Sequence, residues 1–307
     1  MLGKKIKVHF RRIGVMFLNF LFGHSWLYAF VGFFNKYILD KPIKNIFLFY
    51  PANKKYTREY VYQWYARSMK WKPRLMGFSR QNKKWGFIFG ISAIERDFFS
   101  NKNTENLRLV EGRLEGIKRL LGANQKTFAG VLPSLLSAKE IIHNSVERQV
   151  TVKAVLLAIK QVREKEQLHE ETPVIVLGGL GFIGSEFNGM AGYYPIDIGL
   201  NGFAELANKF DGKPTIVLNL TKRGVLSEYI PYFWPQIVVI NEVYPEPSES
   251  ELRDIKEKGA LCYHIIGVKG NAWPAFPHGY EGGIPCCASF WPEKEEDGEY
   301  EVIVKKM

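Results

Sequence analysis

Residues 174–184 of this chain read VIVLGGLGFIG, an apolar run followed at once by a glycine-rich turn. Val174 to Leu177 are apolar and mostly β-branched, which is typical of a buried strand in a parallel sheet. Upstream, apolar residues recur at spacings of three and four from Val152 to Val162, so the sequence predicts a helix over about residues 150–167. A helix, a strand and a glycine turn in this order indicate an α/β fold.

The turn contains the pattern G-x-G-x-x-G at Gly179, Gly181 and Gly184, with Phe182 and Ile183 before the last glycine. After a strand, such a turn lets the backbone approach a pyrophosphate, and the N-terminus of a following helix stabilises its charge. We therefore predict that these five residues bind NADP or NAD. The alternative is a strand-to-helix turn that holds no ligand.

Asp197 is the residue expected to bind the ribose of such a cofactor. In this motif an acidic residue is expected about 20 residues further on, after a full helix and a second strand. Asp197 lies only 13 residues after Gly184, with Gly189 and Gly192 between them. The helix after the turn must therefore be short, and either the cofactor site is a compact variant or nucleotide binding has degenerated.

Further strands alternate with helices in the C-terminal half. The predicted strands are 215–220, 237–240 and 261–266, and the predicted helices are 202–210 and 249–258. Ser248 is a plausible cap for the second of these helices. The alternation predicts a parallel, Rossmann-like sheet that binds ligands in the loops at the carboxyl ends of its strands. From those loops we assign Thr221 and Gly267 to the cofactor and Lys222 to catalysis.

Several short motifs within residues 120–290 resemble those of the long-chain acyl-(acyl carrier protein) reductases and, more distantly, of shikimate-dehydrogenase-like proteins. In chain order they are FAGVLPS at 128–134, the helix beginning near Thr151, the glycine turn followed by Ser185, Lys222-x-Gly224, VVINEVYP at 238–245, Gly267, and GIPCCA at 283–288. The resemblance implies a helix-rich or mixed substrate domain that precedes a nicotinamide-binding domain. It also implies that a cysteine accepts an acyl group as a thioester, which NADPH reduces to an aldehyde.

Cys286 and Cys287 match the acyl-accepting cysteine in this resemblance, with a slight preference for Cys287. A thiol serves in this way only when a cation, a helix N-terminus or an imidazole activates it. His278 lies in a loop of glycine, proline and aromatic residues, where a functional role is plausible. The catalytic candidates are Cys287, Cys286, His278 and Lys222. Two alternatives for the cysteines are packing behind a cofactor loop and, ranked lowest, zinc binding together with Cys262 and His264, so no metal is predicted.

The composition excludes several classes of protein. The chain has 307 residues, of which 46% are hydrophobic and 24% charged, so it is neither disordered nor collagen-like and is long enough for two medium domains. Only three cysteines occur. Disulfide bonds therefore do not organise the fold, and a reducing compartment is expected.

Positive charge is concentrated in residues 1–86, which contain 18 Lys and Arg but only two Asp and Glu, a net charge of +16. Such a field attracts an anionic surface. Within this region, residues 13–35 carry no charged side chain and are long enough to cross a bilayer. Three alternatives are open for them: a spanning helix with a cytoplasmic N-terminus, an interfacial helix or helical hairpin broken near Gly23, and a buried core helix.

Aromatic and basic residues are interleaved over residues 54–87. This composition suits either anionic lipid headgroups or single-stranded nucleic acid. Because the uncharged segment lies directly upstream, we favour an anionic membrane surface, and nucleic acid is the least favoured partner. The alternative is a solvated basic face that binds no partner.

Together these features predict a two-domain α/β protein. We expect a basic and apolar membrane-associated segment at 1–45, a mixed α/β substrate domain at 46–148, a Rossmann-like nucleotide-binding domain at 149–292, and an acidic tail or edge strand at 293–307. The expected location is cytoplasmic, with attachment to a membrane either peripherally or by a single N-terminal span.

The expected function is that of an NAD(P)-dependent oxidoreductase acting near a membrane. Its substrate would be hydrophobic, such as an acyl thioester or an aldehyde, and either a small molecule or carried by an acyl carrier. A homo-oligomer is compatible with these features. The alternative function is that of a membrane-associated binding or regulatory protein that keeps the Rossmann-like fold without catalysis.

Overall fold

The computed structural model describes residues 2–51, 54–197, 200–276, 280–292 and 298–307. The fold is α/β, as the sequence predicts. The chain divides into two compact units. Unit 1 comprises residues 1–150, 270–276 and 284–300, and unit 2 comprises residues 151–269, 277–283 and 301–307.

The secondary structure alternates along most of the chain. The strands are β1 Ile43–Phe49, β2 Arg74–Gln81, β3 Lys84–Gly90, β4 Gln125–Phe128, β5 Val174–Leu177, β6 Tyr193–Ile196, β7 Thr215–Asn219, β8 Ile237–Asn241, β9 Leu261–Lys269, β10 Asn271–Trp273, β11 Gly283–Ile284 and β12 Val302–Lys306. The α-helices are α1 Leu2–Phe22, α2 Ser25–Tyr37, α3 Lys54–Tyr60, α4 Gln63–Ser68, α5 Glu95–Phe98, α6 Thr104–Leu121, α7 Leu132–Ala138, α8 Val146–Lys165, α9 Leu200–Phe210, α10 Leu226–Tyr229 and α11 Glu249–Glu257.

Unit 1 contains a mixed five-stranded sheet in the order β10-β2-β3-β1-β4. The inner strand β1 pairs in parallel with both β3 and β4, whereas β2 is antiparallel to β3. Because β1 is covered on both faces, its sequence IKNIFLF is buried almost throughout. The main core of the unit combines β1 and β3 with α6, and includes fully buried Leu48, Phe89 and Leu114.

Unit 2 contains five parallel strands in the order β9-β8-β7-β5-β6, with β12 antiparallel to β9 and β11 at the end of the sheet. On one face of this sheet, Ile175, Val217 and Val239 pack against residues of α9, α10 and α11, such as Phe203 and Ile255. The apolar β-branched strands are therefore buried, as is expected for a parallel sheet.

Most elements predicted in unit 2 are confirmed. The strand at 174–177 has the predicted bounds, and the helix predicted at 150–167 is α8 at Val146–Lys165. Ser248 caps α11, because its hydroxyl accepts a hydrogen bond from the Glu251 amide while the Glu251 carboxylate accepts one from the Ser248 amide. The edge strand expected near the C-terminus is β12.

The uncharged N-terminal segment forms two helices rather than one. α1 ends at Phe22, α2 begins at Ser25, and their axes differ by 77°. Among the described residues, no single helix has the length and hydropathy of a membrane span, and only Val8–Phe22 and Ser25–Tyr37 taken together meet that criterion. The break lies at Gly23 and His24, which agrees with one of the three alternatives for this segment, a helical hairpin broken near Gly23.

The units differ from the expected domains in two respects. The N-terminal segment 1–45 belongs to unit 1, because α1 packs on β2 and α2 packs on α6. Residues 270–276 and 284–292, which we expected in the nucleotide-binding domain, also belong to unit 1. The division of the chain near residue 150 lies within α8.

Candidate functional site

The candidate site lies at the carboxyl edge of the parallel sheet in unit 2. The chain leaves β5 toward β6 on one side of the sheet, and later returns to form β7, β8 and β9 on the other side. The strand order therefore reverses between β5 and β7. In open parallel sheets, ligands bind outside the carboxyl ends of the strands at such a reversal.

The glycine turn leaves β5 at this point. Gly178 adopts a positive φ of 82°, and its carbonyl oxygen accepts a hydrogen bond of 2.9 Å from the Gly181 amide. The Gly179 amide donates to the carbonyl oxygen of Ile196 at 2.7 Å, which extends the pairing of β5 with β6. The turn leads into a single 3-10 turn at Gly184–Phe187, so the short element expected after the motif is not an α-helix.

All three motif glycines have a structural reason within the turn, since a Cβ atom on Gly181 would also lie 2.9 Å from the carbonyl oxygen of Gly178. A Cβ atom on Gly184 would overlap the carbonyl oxygen of Gly178, and one on Gly179 would press on Pro195 at the end of β6. Gly181 is exposed, whereas Phe182 and Ile183 are half-buried. Close packing of the turn against the next strand is one of the roles that this glycine pattern has in nucleotide-binding folds.

Asp197 lies beside the glycine turn despite the short spacing. β6 runs parallel to β5 with Ile196 opposite Leu177, so Asp197 is the first residue past the carboxyl end of β6. Its side chain is exposed, and its backbone oxygen accepts a hydrogen bond of 3.3 Å from the Tyr229 hydroxyl. The shortened connection from β5 therefore leaves an acidic residue where a ribose-binding carboxylate is expected.

The loop after β7 supplies a hydroxyl and two cations. The Thr221 hydroxyl donates to the side-chain oxygen of Asn219 at 2.6 Å. Lys222 and Arg223, which follow, are exposed. Because β7 adjoins β5, this loop borders the same strand reversal as the glycine turn.

A buried polar network, which the sequence patterns above do not predict, continues across the next strands. Asn219, Asn241 and His264 occupy equivalent positions on β7, β8 and β9, and each is at least 97% buried. The Asn219 amide donates to the side-chain oxygen of Asn241 at 2.7 Å, and the Asn241 amide nitrogen lies 3.0 Å from His264 Nδ1. Burial lowers the pKa of His264, so its imidazole is neutral at neutral pH. The sequence signal is an asparagine that ends two successive apolar strands.

Glu242 follows Asn241 at the same edge of the sheet. It is half-buried, and desolvation raises the pKa of its carboxyl from 4.5 to about 7. A group with such a pKa exchanges protons at neutral pH, which is a property of acid–base residues in functional sites.

The raised pKa of Glu242 predicts a pH-dependent stability. Between about pH 4.5 and 7 the unfolded chain loses this proton and the folded chain keeps it, so the free energy of unfolding falls as the pH rises. Glu242→Gln removes this loss. We expect the free energy of unfolding of the variant, measured in urea relative to the wild type, to increase by about 2 to 3 kcal/mol from pH 4 to pH 8. The control Glu228→Gln, at an exposed position of α10, should show no such gain. If the difference in free energy of unfolding between Glu242→Gln and the wild type does not change with pH, the raised pKa is contradicted.

The sequence predicts that Gly267 lies in a loop, but in the structure it lies within a strand. β9 continues to Lys269 because β12 pairs with it, and Gly267 lies within the strand opposite Ile303. Its φ of 143° accommodates an irregularity of register between Ile303 and Val304. The prediction that Gly267 lies in a loop after its strand is therefore wrong, and the position of Gly267 is explained by strand pairing.

The two candidate cysteines lie in unit 1, whereas Lys222 lies in unit 2. Cys286 and Cys287 belong to a 3-10 turn at Cys286–Ala288 that contacts β1 and β4. Cys286 is buried, and half-buried Cys287 packs with apolar residues such as Phe47 and Met76. These surroundings are typical of cysteines that serve in packing.

The other chemical candidates are placed as follows. His278 lies outside the described residues. Cys262 is buried in β9, and burial raises its pKa to about 12. Within the part of the chain that the structure describes, no cluster of three or more His, Cys, Asp or Glu side chains is arranged to hold a metal ion.

Comparison with known proteins does not assign the chain to a family. No protein-family model matches the chain, and no curated protein is significantly similar to it.

Proposed function

We propose that unit 2 is a Rossmann-like domain that binds a nicotinamide dinucleotide, and that the protein is an oxidoreductase for a hydrophobic substrate. The observation that carries the proposal is the position of Asp197 beside the glycine turn. It follows β6, the parallel strand that adjoins β5 on the side away from the strand reversal between β5 and β7. The proposal is thus supported by the proximity in space of Asp197 and the glycine turn, which the short spacing between them in the sequence does not reveal.

The residues at this edge fit the ribose end of the cofactor. An exposed carboxylate at the end of the second strand accepts hydrogen bonds from the ribose hydroxyls and repels a 2′-phosphate. Asp197 therefore favours NAD over NADP. Because the turn continues into a 3-10 turn, no helix dipole is available for the pyrophosphate, and we assign that role to the exposed cations Lys222 and Arg223.

The bound cofactor would supply or accept a hydride, and the protein would have to supply or accept a proton. Glu242 is the candidate for this step, because its pKa of about 7 suits proton transfer at neutral pH. The proposal gives Cys286 and Cys287 a packing role, so it does not include a thioester on the enzyme.

A second function is favoured by the missing helix after the glycine turn. A protein that keeps this fold as a scaffold would need Gly179 and Gly184 for packing alone, and it would bind no dinucleotide. The first experiment must therefore measure binding separately from turnover.

We predict that NADH raises the melting temperature of the full-length protein saturably, because it binds only the native state. Asp197→Ala should weaken NADH binding by at least about tenfold, since the ribose hydroxyls lose a charged acceptor. The matched control Asp211→Ala removes an exposed carboxylate after α9 and should bind NADH as the wild type does. Thermal-shift titrations with NADH, NADPH and ADP provide the measurement.

The outcomes separate the two functions. Binding of NADH that depends on Asp197 supports the oxidoreductase, and turnover is then sought with hydrophobic aldehydes. No shift with any of the three nucleotides at millimolar concentration overturns the proposal and leaves the scaffold function.

A further inference from the structure

The outward faces of α1 and α2 are apolar. On α1, the exposed side chains at spacings of three and four are Ile6, Phe10, Ile13, Phe17 and Phe20. On α2 they are Trp26, Phe30, Phe33 and Tyr37. We call these nine residues the aromatic face. Their exposed fractions run from 47% for Ile13 to 75% for Phe20 and Tyr37.

The inward faces of the same helices contain polar residues that bind unit 1. Asn19 is 92% buried in α1, and its amide donates to the carbonyl oxygen of Leu75 at 2.6 Å while its side-chain oxygen accepts from the Leu75 amide. Asn35 in α2 donates to the carbonyl oxygens of Leu121 and Gly122 and accepts from the Ile43 amide. The asparagines within the uncharged segment therefore face the protein and not a lipid.

Unlike an ordinary surface helix, α1 and α2 are largely apolar on both faces, because Val15, Leu18 and Tyr28 are buried in the core while the aromatic face is exposed. A helix on a water-exposed surface turns its apolar face to the core and its polar face to water. The aromatic face contains nine large side chains, which together expose on the order of several hundred Å² of apolar area. An exposed apolar area of that size marks a surface that another phase or molecule covers.

The charge around this face favours an anionic bilayer as the partner. α1 and α2 contain no acidic residue, and the first half of α1 carries Lys4, Lys5, Lys7, Arg11 and Arg12. Arg11 and Arg12 lie over the rings of Tyr60 and Tyr62, which places α3 and its exposed Arg58 beside α1. An apolar face with Trp and Tyr, bordered by cations, suits the boundary between acyl chains and anionic headgroups.

We propose that α1 and α2 are a monotopic membrane anchor whose aromatic face inserts into the surface of an anionic bilayer. Neither helix crosses the bilayer, because the inner face of each is held on unit 1 by Asn19 or Asn35. The bend of 77° at Gly23 and His24 lets one helix lie on β2 and the other on α6, with both apolar faces directed outward. This proposal does not depend on the cofactor of unit 2.

The test measures binding of the full-length protein to preformed vesicles by co-sedimentation. We expect tight binding to phosphatidylcholine vesicles that contain phosphatidylglycerol and weak binding to phosphatidylcholine alone. The variant Phe10→Ser/Phe17→Ser/Phe30→Ser should lose about a hundredfold in affinity for the anionic vesicles. The control Phe99→Ser/Leu109→Ser/Tyr232→Ser changes three exposed apolar residues elsewhere and should bind as the wild type does.

Thermal unfolding of both triple variants checks that they fold, which is expected because all six positions are exposed. Equal binding to the two kinds of vesicle, or unchanged binding of the Phe10/Phe17/Phe30 variant, overturns the proposal. A stable dimer in solution that binds neither vesicle also overturns it, since a second copy of the chain would then cover the aromatic face. Light scattering of the protein without lipid detects that dimer.

Discussion

Gly32→Ala is expected to lower the free energy of unfolding by about 4 kcal/mol, one of the largest effects of any conservative substitution in this protein. Gly32 lies in α2 where that helix crosses the end of α6, and a methyl group on it would overlap the carbonyl oxygen of Leu120. The atom in the way is backbone, so a change of side-chain rotamer cannot relieve the overlap. The two helices would have to separate, and urea unfolding measures the cost.

Gly116→Ala in α6 is the matched control. A Cβ atom there meets nothing beyond its own helix, so alanine should stabilise the protein by about 0.5 to 1 kcal/mol through its higher helix propensity. Opposite signs for the two substitutions would establish that close packing of α2 on α6 requires Gly32. If Gly32→Ala were neutral, α2 would not be packed as described.

Asn35→Ala is the second substitution with a large expected effect, a loss of about 3 to 5 kcal/mol. Asn35 is 99% buried and makes three hydrogen bonds of 2.9 to 3.0 Å to backbone groups at the end of α6 and the start of β1. Alanine leaves the Ile43 amide and two carbonyl oxygens without these partners. Urea unfolding followed by circular dichroism measures the loss.

Two further variants test the cause. Asn35→Asp keeps an acceptor for the Ile43 amide but places a negative charge against the carbonyl oxygens of Leu121 and Gly122, so it should be almost as unstable as Asn35→Ala. Asn208→Ala, at an exposed position of α9, should change stability by no more than about 0.5 kcal/mol. A small effect of both Asn35 variants would mean that water replaces the amide.

These predictions separate folding from membrane attachment. Gly32 and Asn35 lie on the inner face of α2, where substitutions should cost stability. Phe30 and Phe33 lie on its outer face and are more than half exposed. The rings of both contact Phe34 in the same helix. Substitutions there should affect lipid binding and leave the melting temperature nearly unchanged.

The proposed cofactor site depends on a relation that only the folded chain reveals. Counted along the sequence, Asp197 is too close to the glycine turn for a full helix and strand between them. In the structure a 3-10 turn replaces the helix, and β6 still arrives parallel to β5 with Ile196 opposite Leu177. The spacing measures the length of the connection, whereas ribose binding depends on which strand lies next to the turn.

Patterns along the chain were enough to identify β5, α8 and the Ser248 cap, because each depends on residues within a few positions of one another. A break near Gly23 was one of three alternatives that the sequence left open. Strand periodicity, helix periodicity and capping are local properties of the backbone, and the folded structure retains them. The concentration of positive charge in the first 86 residues is likewise a property of the sequence itself.

Tertiary structure alone decided the partners of the polar residues. In the sequence, Asn19 and Asn35 are polar residues without evident partners in an apolar segment. In the fold they form hydrogen bonds with backbone groups of Leu75, Leu121 and Ile43. Cys286 and Cys287 fall in unit 1, and Asn219, Asn241 and His264 align only once three strands are in register. Pairing between residues tens of positions apart depends on the path of the chain, because a hydrogen bond forms only where that path brings donor and acceptor within about 3 Å.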